Sequence, residues 1–133
     1  MRNCLCIVFI RAIAQIIFPS DVECLHLPIE DSPTANLLSI VPASIEFIKT
    51  SPGPVLVHCY AGISRSASVV AAWLVTQFDV SLEHALDTIS SVRPLIQPNE
   101  GFLAALASLA SLASLAALES GGPGGSQDAR TQI

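Results

Sequence analysis

A cysteine and an arginine stand six positions apart in the middle of the chain, at Cys59 and Arg65, with Gly62 between them. The apolar run 55–57 before the cysteine is typical of a strand, and the run 66–77 after the arginine is typical of a helix. A strand that turns sharply into a helix directs successive backbone N–H groups into one concavity, where the helix N-terminus adds partial positive charge. Such a concavity holds a dianion the size of a phosphate group.

The side chains of this segment add a nucleophile and a clamp. A lone cysteine is most often a small buried residue, but a thiol beside a positively polarised loop loses its proton readily, and the thiolate attacks. Arg65 offers a planar fork of donors for two phosphate oxygens. Ser66 either only begins the helix or also donates a hydrogen bond to the departing thiolate, and the two interpretations are compatible. The backbone amides that would hold the phosphate belong to Tyr60, Ala61, Gly62, Ile63, Ser64 and Arg65.

His58 precedes the cysteine at the end of the predicted strand. Adjacent strand residues point to opposite faces, so we predict that His58 supports the loop from behind and does not act as a base.

Phosphoryl transfer to a thiolate also needs a proton donor, because an alkoxide or phenoxide is a poor leaving group at neutral pH. Spacing alone favours a loop carboxylate beside a proline, which selects Asp31 first and Glu30 second. Acidic residues are common on surface loops, so the residues alone leave the choice open. The other carboxylates in range are Asp21, Glu23, Asp79, Glu83, Asp87 and Glu100.

Composition limits the class of protein. The chain has 133 residues, enough for one domain, and 51% of them are hydrophobic. A net charge of −5 with six scattered basic residues gives no surface for nucleic acid or an anionic membrane. The four cysteines lack zinc-site spacing and are too sparse for a disulfide framework. We therefore expect a reducing, intracellular compartment.

The N-terminal residues 1–18 contain two short apolar runs interrupted by Arg11. A signal peptide is the weaker interpretation because the first run is short and interrupted. A membrane span fails on length, since it needs about 20 apolar residues. Buried strand, followed by a second strand or a helical turn, is the plainer prediction.

Hydrophobic periodicity predicts the remaining elements. In chain order they are a strand at 22–29, a helix at 39–49, a strand at 55–58, a helix at 66–77, a helix capped by Ser81, and a final helix opened by Pro98 and Asn99.

The final helix carries a leucine at every third position from 103 to 118. At 3.6 residues per turn, each leucine lags the previous one by about 60°, so the set winds around the helix. The first two or three leucines can reach the core, and the rest are predicted to meet solvent or a partner. Low-complexity extension of a helix is favoured over an interface. The Gly-rich segment Gly121–Ile133 is predicted to be disordered.

The run His58-Cys59-Tyr60-Ala61-Gly62-Ile63-Ser64-Arg65-Ser66 resembles the signature of the cysteine-dependent protein phosphatases, and of their dual-specificity branch in particular. Residues 27–33 look like that family's general-acid loop. Residues 85–86 and 93–102 look like its later helices and connecting turn. The resemblance covers about 22–106.

The resemblance implies a role for each matching residue. Asp31 would act first as acid and then as base, Cys59 as nucleophile and Arg65 as phosphate clamp. Ser66 would donate to the leaving thiolate. Asn99 would support the loop, although a helix N-cap alone also explains it. Neither a metal nor another cofactor is implied.

We therefore expect an α/β fold with a central, mostly parallel sheet flanked by helices, similar to these phosphatases but with a shortened front. Residues 1–21 would be a divergent or truncated N-terminal segment, 22–118 the catalytic domain and 119–133 a disordered tail. An incomplete sheet would expose an apolar edge.

The expected activity is hydrolysis of phosphotyrosine and phosphoserine or phosphothreonine in proteins, through a cysteinyl-phosphate intermediate. One alternative is a phosphate-binding module with little turnover because the N-terminal part of its scaffold is incomplete. Another is a phosphatase of phosphoinositides or other non-protein substrates, which the loop disfavours because Tyr60, Ala61, Ile63 and Ser64 bring no added cation. The spacing also occurs in sulfurtransferases and arsenate reductases, but Gly62, Ser66 and Asp31 fit those less well. We expect a cytoplasmic or nuclear protein with a phosphoprotein substrate, and with neither nucleic acid nor membrane as partner.

Overall fold

The structure, a computed structural model, describes residues 4–9, 23–120 and 131–132, and it describes side chains for 23–120. The elements in chain order are β1 (Cys4–Phe9), β2 (Glu23–Pro28), a 3-10 turn (Leu37–Ser39), α1 (Val41–Thr50), β3 (Val55–His58), α2 (Arg65–Gln77), α3 (Leu82–Val92), α4 (Glu100–Ser120) and β4 (Thr131–Gln132). Alternating helices and strands confirm the α/β class.

The four described strands form one sheet in the order β2-β1-β3-β4. β1 runs antiparallel to both β2 and β3, while β3 and β4 are parallel. The expected, mostly parallel sheet is therefore mixed among the described strands. The cause is the position of β1, which lies between two strands that share a direction and runs against both.

The common direction of β2 and β3 is what positions the site. A crossover containing α1 joins the two strands, as two strands of one sheet that run in the same direction require. Their carboxyl ends therefore lie at the same edge of the sheet. The loop after β2 contains Asp31 and the loop after β3 contains Cys59, so one edge carries both candidate groups.

The core lies on one face of β3 and is organised by α2. Val55 and Val57 are buried, whereas the alternating residues Leu56 and His58 are half-buried. Ten residues of α2 are buried, which its small side chains allow because they admit neighbours on every side. Side chains of the other helices complete this cluster, chiefly Ile48, Ile89, Phe102 and Leu106.

Helix starts follow the local chemistry that the sequence predicts. The Ser81 hydroxyl accepts a hydrogen bond from the His84 N–H at 3.1 Å and caps α3. Pro42 falls in the first turn of α1, where its missing N–H is tolerated.

Helix α4 has two different halves. Phe102 and Leu106 are fully buried against the core, whereas Leu112, Leu115 and Leu118 are 64%, 60% and 80% exposed. This confirms the prediction that early leucines reach the core and later ones do not. Within the described residues, α4 is long and apolar enough to cross a membrane by length and composition alone. Phe102 and Leu106 in its first half belong to the domain core.

The described elements near both ends of the sequence can be compared with the predicted segment boundaries. β1 agrees with the strand expected in the first apolar run, and residues 1–3 and 10–22 lie outside the described residues. α4 continues to Ser120, past the expected boundary at 118, and β4 pairs with β3 inside the expected tail. Residues 121–130 and 133 lie outside the described part.

Candidate active site

The chain turns sharply between β3 and α2, and residues 59–65 of this turn are called the cradle below. Gly62 has a φ of +68°, a conformation that L side chains rarely adopt. This turn lets the Gly62 N–H reach back and donate to Cys59 Sγ at 3.3 Å. The Gly62 N–H is thus a loop amide that points to the thiol.

The Cys59 thiol is half-buried, and three residues of the cradle and α2 act on it. Burial by itself raises the pKa of Cys59, but the Ser66 hydroxyl, the backbone N–H groups of Ser66 and Gly62 and the charge of Arg65 outweigh it. The net result is a pKa below the ordinary value of a thiol. The Ser66 Oγ lies 3.3 Å from Cys59 Sγ. This environment favours the nucleophilic thiolate.

Arg65 lies at the start of α2, and its side chain is only 7% exposed. Its Nη1 donates to the carbonyl oxygen of Ile29 at 3.2 Å. Ile29 belongs to the segment 27–33, which we call the acid loop. The guanidinium therefore links the cradle to the acid loop as well as adding positive charge beside the thiol.

Asn99 provides a second link between the same two loops. Its Nδ2 donates to Asp31 Oδ1 at 2.9 Å, and its backbone N–H donates to Ser64 Oγ at 2.9 Å. Its Oδ1 accepts from the Phe102 N–H at 2.9 Å, which caps α4. Both interpretations of Asn99, helix cap and loop support, therefore agree with the geometry.

The same contact bears on the choice between the two neighbouring carboxylates. Glu30 and Asp31 are both exposed, and Asp31 is the acid-loop carboxylate that bonds Asn99. The first turn of α4 also presses on this loop at Gly101. A Cβ built on Gly101 would lie 2.6 Å from the carbonyl carbon of Pro33.

His58 ends β3 and lies half-buried next to the thiol. Burial lowers its pKa, a hydrogen bond with the Cys59 backbone raises it, and the nearby His26 lowers it further. The net lowering of the pKa favours the neutral imidazole. His58 lines a pocket of about 250 Å³ together with Leu56, Val57, Cys59, Tyr60, Ala61, Gly62, Ser66 and Arg93.

The remaining cradle residues divide into rim and interior. Tyr60 and Ile63 are 70% and 37% exposed and Ala61 is also exposed, so they form the rim that an incoming substrate meets. Ser64 is 4% exposed and lies inside. Its hydroxyl accepts the Asn99 N–H, a structural contact that the sequence did not indicate.

Sequence reasoning gave no role to Arg93, which it placed only within the segment 93–102. Its Nε donates to the Gly62 carbonyl oxygen at 2.8 Å, and its Nη2 donates to the Ala61 carbonyl oxygen at 3.2 Å. The Gln97 N–H donates to the Ile63 carbonyl oxygen at 2.7 Å. No local pattern marks these contacts, because more than thirty positions separate the partners.

A comparison with protein-family models matches residues 7–111 to the dual specificity phosphatase catalytic domain. The chain belongs to the dual-specificity phosphatase family. This confirms the resemblance drawn from the cradle sequence, and the match covers well over half of the chain.

Relatives and solved structures agree with the family assignment. The chain is 42% identical over 85 residues to dual specificity protein phosphatase 16 of Homo sapiens, covering 62% of this chain and 13% of that protein. It is 39% identical over 92 residues to dual specificity protein phosphatase 19 of Mus musculus, covering 67% and 42%. It therefore spans less than half of the length of these two relatives.

Two crystal structures show the same fold. One is of the human tyrosine phosphatase-like serine/threonine/tyrosine-interacting protein, with a TM-score of 0.63, 37% identity and coverage of 65% of this chain and 59% of that one. The other is of a mouse putative dual specificity phosphatase complexed with zinc tungstate, with a TM-score of 0.62, 33% identity and coverage of 68% and 59%. The phosphatase-like α/β fold is thus confirmed.

Proposed function

We propose that this member of the dual-specificity phosphatase family hydrolyses phosphotyrosine and phosphoserine or phosphothreonine in proteins. The observation that carries the proposal is the environment of Cys59, whose sulfur lies 3.3 Å from both the Ser66 hydroxyl and the Gly62 N–H. A lowered thiol pKa at the start of a helix prepares a nucleophile beside an anion site. Family membership and the names of the relatives support a phosphoprotein as substrate.

In the first step the Cys59 thiolate attacks phosphorus and forms an S–P bond, while the bond from phosphorus to the leaving oxygen breaks. The proton on Asp31 passes to that oxygen, so that an alcohol or phenol departs and not its anion. The cradle amides and the Arg65 guanidinium carry the charge on the other phosphate oxygens. The reaction therefore uses groups that this chain supplies.

In the second step the Asp31 carboxylate takes a proton from water, and the water oxygen attacks phosphorus. The S–P bond breaks, inorganic phosphate forms and the electron pair returns to sulfur. Ser66 and Gly62 stabilise the thiolate that leaves, through the same contacts that lower its pKa in the free protein. One hydrogen-bond set thus serves both steps.

The test is turnover of a nitroaryl phosphate and of a panel of phosphopeptides by the wild type and by two site variants. We expect Cys59→Ser to abolish turnover, and Asp31→Asn to slow it by about 100-fold or more, the usual contribution of a general acid. Cys24→Ser is the matched control, because Cys24 is a half-buried cysteine of β2 outside the site. Equal rates for the wild type and Cys59→Ser would overturn the proposal.

The same panel separates the alternatives. Phosphopeptide binding by the wild type without turnover would indicate a binding module. Turnover of phosphoinositides above that of phosphopeptides would indicate a non-protein substrate. An unaffected Asp31→Asn would remove Asp31 from the mechanism while leaving Cys59 in place.

A cytoplasmic or nuclear location belongs to the same proposal. It is supported by the chemistry of Cys59, since a thiol of lowered pKa must stay reduced to act. The cysteines whose side chains the structure describes, Cys24 and Cys59, are both free thiols. Imaging of the tagged full chain in cells tests the location, and entry into the secretory pathway would contradict it.

A further inference from the structure

Three consecutive carbonyl groups on the outside of the cradle are held by the segment between α3 and α4, residues 93–99. Arg93 Nη2 donates to the oxygen of Ala61 at 3.2 Å, and Arg93 Nε donates to the oxygen of Gly62 at 2.8 Å. The Gln97 N–H donates to the oxygen of Ile63 at 2.7 Å. Two of the three contacts therefore come from one guanidinium.

Because the peptide group is rigid, these outer contacts also determine where the N–H groups on the inside of the cradle point. In a trans peptide the C=O of one residue and the N–H of the next lie in one rigid plane and point in opposite directions. The described residues contain no cis peptide bond. Holding the Ala61 oxygen outward thus points the Gly62 N–H inward, and holding the Gly62 oxygen outward does the same for the Ile63 N–H.

The structure shows the hydrogen-bond acceptor of one of these inward N–H groups. The Gly62 N–H donates to Cys59 Sγ at 3.3 Å. Arg93 bonds the oxygen at the opposite edge of the same peptide. The side chain of Arg93 also packs directly on Gly62, where a Cβ would lie 2.5 Å from Nη2. Glycine is thus needed for the turn and for the approach of the guanidinium.

We propose that Arg93 is a positioning residue, whose two-point grip on the Ala61 and Gly62 carbonyls sets the direction of the cradle amides toward the Cys59 sulfur and a bound phosphate. Arg93 acts through the backbone of the cradle, and no contact with the reacting atoms is required. The direction of the amides toward a bound phosphate rests on the proposed function. Their direction toward the Cys59 sulfur applies to the protein without substrate.

Other groups also act on the thiol and must be separated from Arg93. Arg65 from α2 lowers the Cys59 pKa by its charge. His58 from β3 and Tyr60 from the cradle are the titratable neighbours in the same pocket. Asp31 lies on the acid loop, which Asn99 joins to the cradle residue Ser64. These groups stay unchanged when Arg93 alone is replaced.

The experiment measures the rate of Cys59 alkylation by iodoacetamide against pH, with the modified site identified by mass spectrometry. Arg93→Met removes both grip and charge. Arg93→Lys keeps the charge but is a single point donor that cannot reproduce the planar fork. We expect the alkylation midpoint to move to higher pH in both variants, since an N–H that bonds the anion lowers its pKa.

Two controls separate positioning from other effects. Lys49→Met removes a positive charge from the exposed end of α1, and its midpoint is expected to stay at that of the wild type. The Cys24 alkylation rate, followed in the same samples, reports global unfolding. If Arg93→Met fails to fold by this measure, Arg93→Lys carries the test.

An unchanged midpoint in a folded Arg93 variant overturns the inference. So does a wild-type midpoint in Arg93→Lys, because charge alone would then explain the effect. The measurement uses no substrate. The midpoint could rise in the Arg93 variants even if the wild type hydrolyses no phosphate ester. That result would support the positioning role and contradict the proposed function.

Discussion

Replacing Gly101 by alanine tests how closely α4 must approach the acid loop. A Cβ at this position would lie 2.6 Å from the carbonyl carbon of Pro33 and 2.7 Å from its Cα, whereas ordinary contact begins at 3.4 Å. The obstructing atoms are backbone and cannot rotate aside. The carbonyl oxygen of Pro33 lies closer still to that Cβ, so the helix and the acid loop must separate by more than about 0.8 Å, the difference between those distances.

The expected loss is larger in activity than in stability. Overpacking destabilises a protein by about 1–3 kcal/mol, and the better helix propensity of alanine offsets about 1 kcal/mol of this. The variant is thus expected to stay folded. Asp31 bonds Asn99, two positions before Gly101, so the separation acts directly on this hydrogen bond. Misplacing a catalytic group by about 1 Å can slow a reaction by about 100-fold.

The assay compares two substrates that differ in their need for a proton donor. Phenyl phosphate has a poor leaving group and is expected to lose about 100-fold in kcat, the effect of a misplaced acid. A nitroaryl phosphate leaves readily without a proton and is expected to lose less than about tenfold. Ala107→Gly, at an exposed position of the same helix, measures the effect of helix propensity alone.

A second comparison makes the argument refutable. In an Asp31→Asn background, Gly101→Ala is expected to cause little further loss, because both changes remove the same function. Equal slowing of the two substrates, or fully additive losses, would show that Gly101 does not act through Asp31.

Two further predictions concern the thiol and the final helix. Ser66→Ala removes a hydrogen bond that lowers the pKa of Cys59, so the thiolate forms at higher pH and the acidic limb of kcat/KM moves upward in a pH-rate profile; an unmoved limb would contradict this role. Phe102→Ala is expected to lower the free energy of unfolding by about 3–5 kcal/mol in urea denaturation, because the ring is fully buried. Leu118→Ala, 80% exposed on the same helix, is expected to change it by less than about 0.5 kcal/mol, and equal losses would be inconsistent with the packing of α4.

The local part of the site was predictable because its chemistry is contiguous in sequence. A strand, a glycine turn and a helix within a few residues place Cys59, Gly62 and Ser66 together with little help from the rest of the chain. Helix caps follow the same logic, and Ser81 and Asn99 both cap the helices that the sequence assigned to them.

The parts that sequence reasoning missed depend on contacts between distant residues. The direction of β1 is set by pairing with two strands, and its own residues do not encode that direction. The grip of Arg93 on the cradle joins positions 31 and 32 apart, and an arginine before a proline has no periodic signature. The choice of Asp31 over Glu30 became better supported only when the contact with Asn99 was seen.

The dependence of the cradle on Arg93 and Asn99 has a consequence for the order of folding. The Asn99–Asp31 bond closes a loop of 68 positions, and the Arg65–Ile29 bond closes one of 36. Contacts of such long range form late, because the chain must first lose the entropy of closing the loop. A growing chain that ends before α4 would carry the whole signature sequence without its geometry. We therefore expect phosphate binding to appear in the same cooperative step that docks Phe102 and Leu106 into the core.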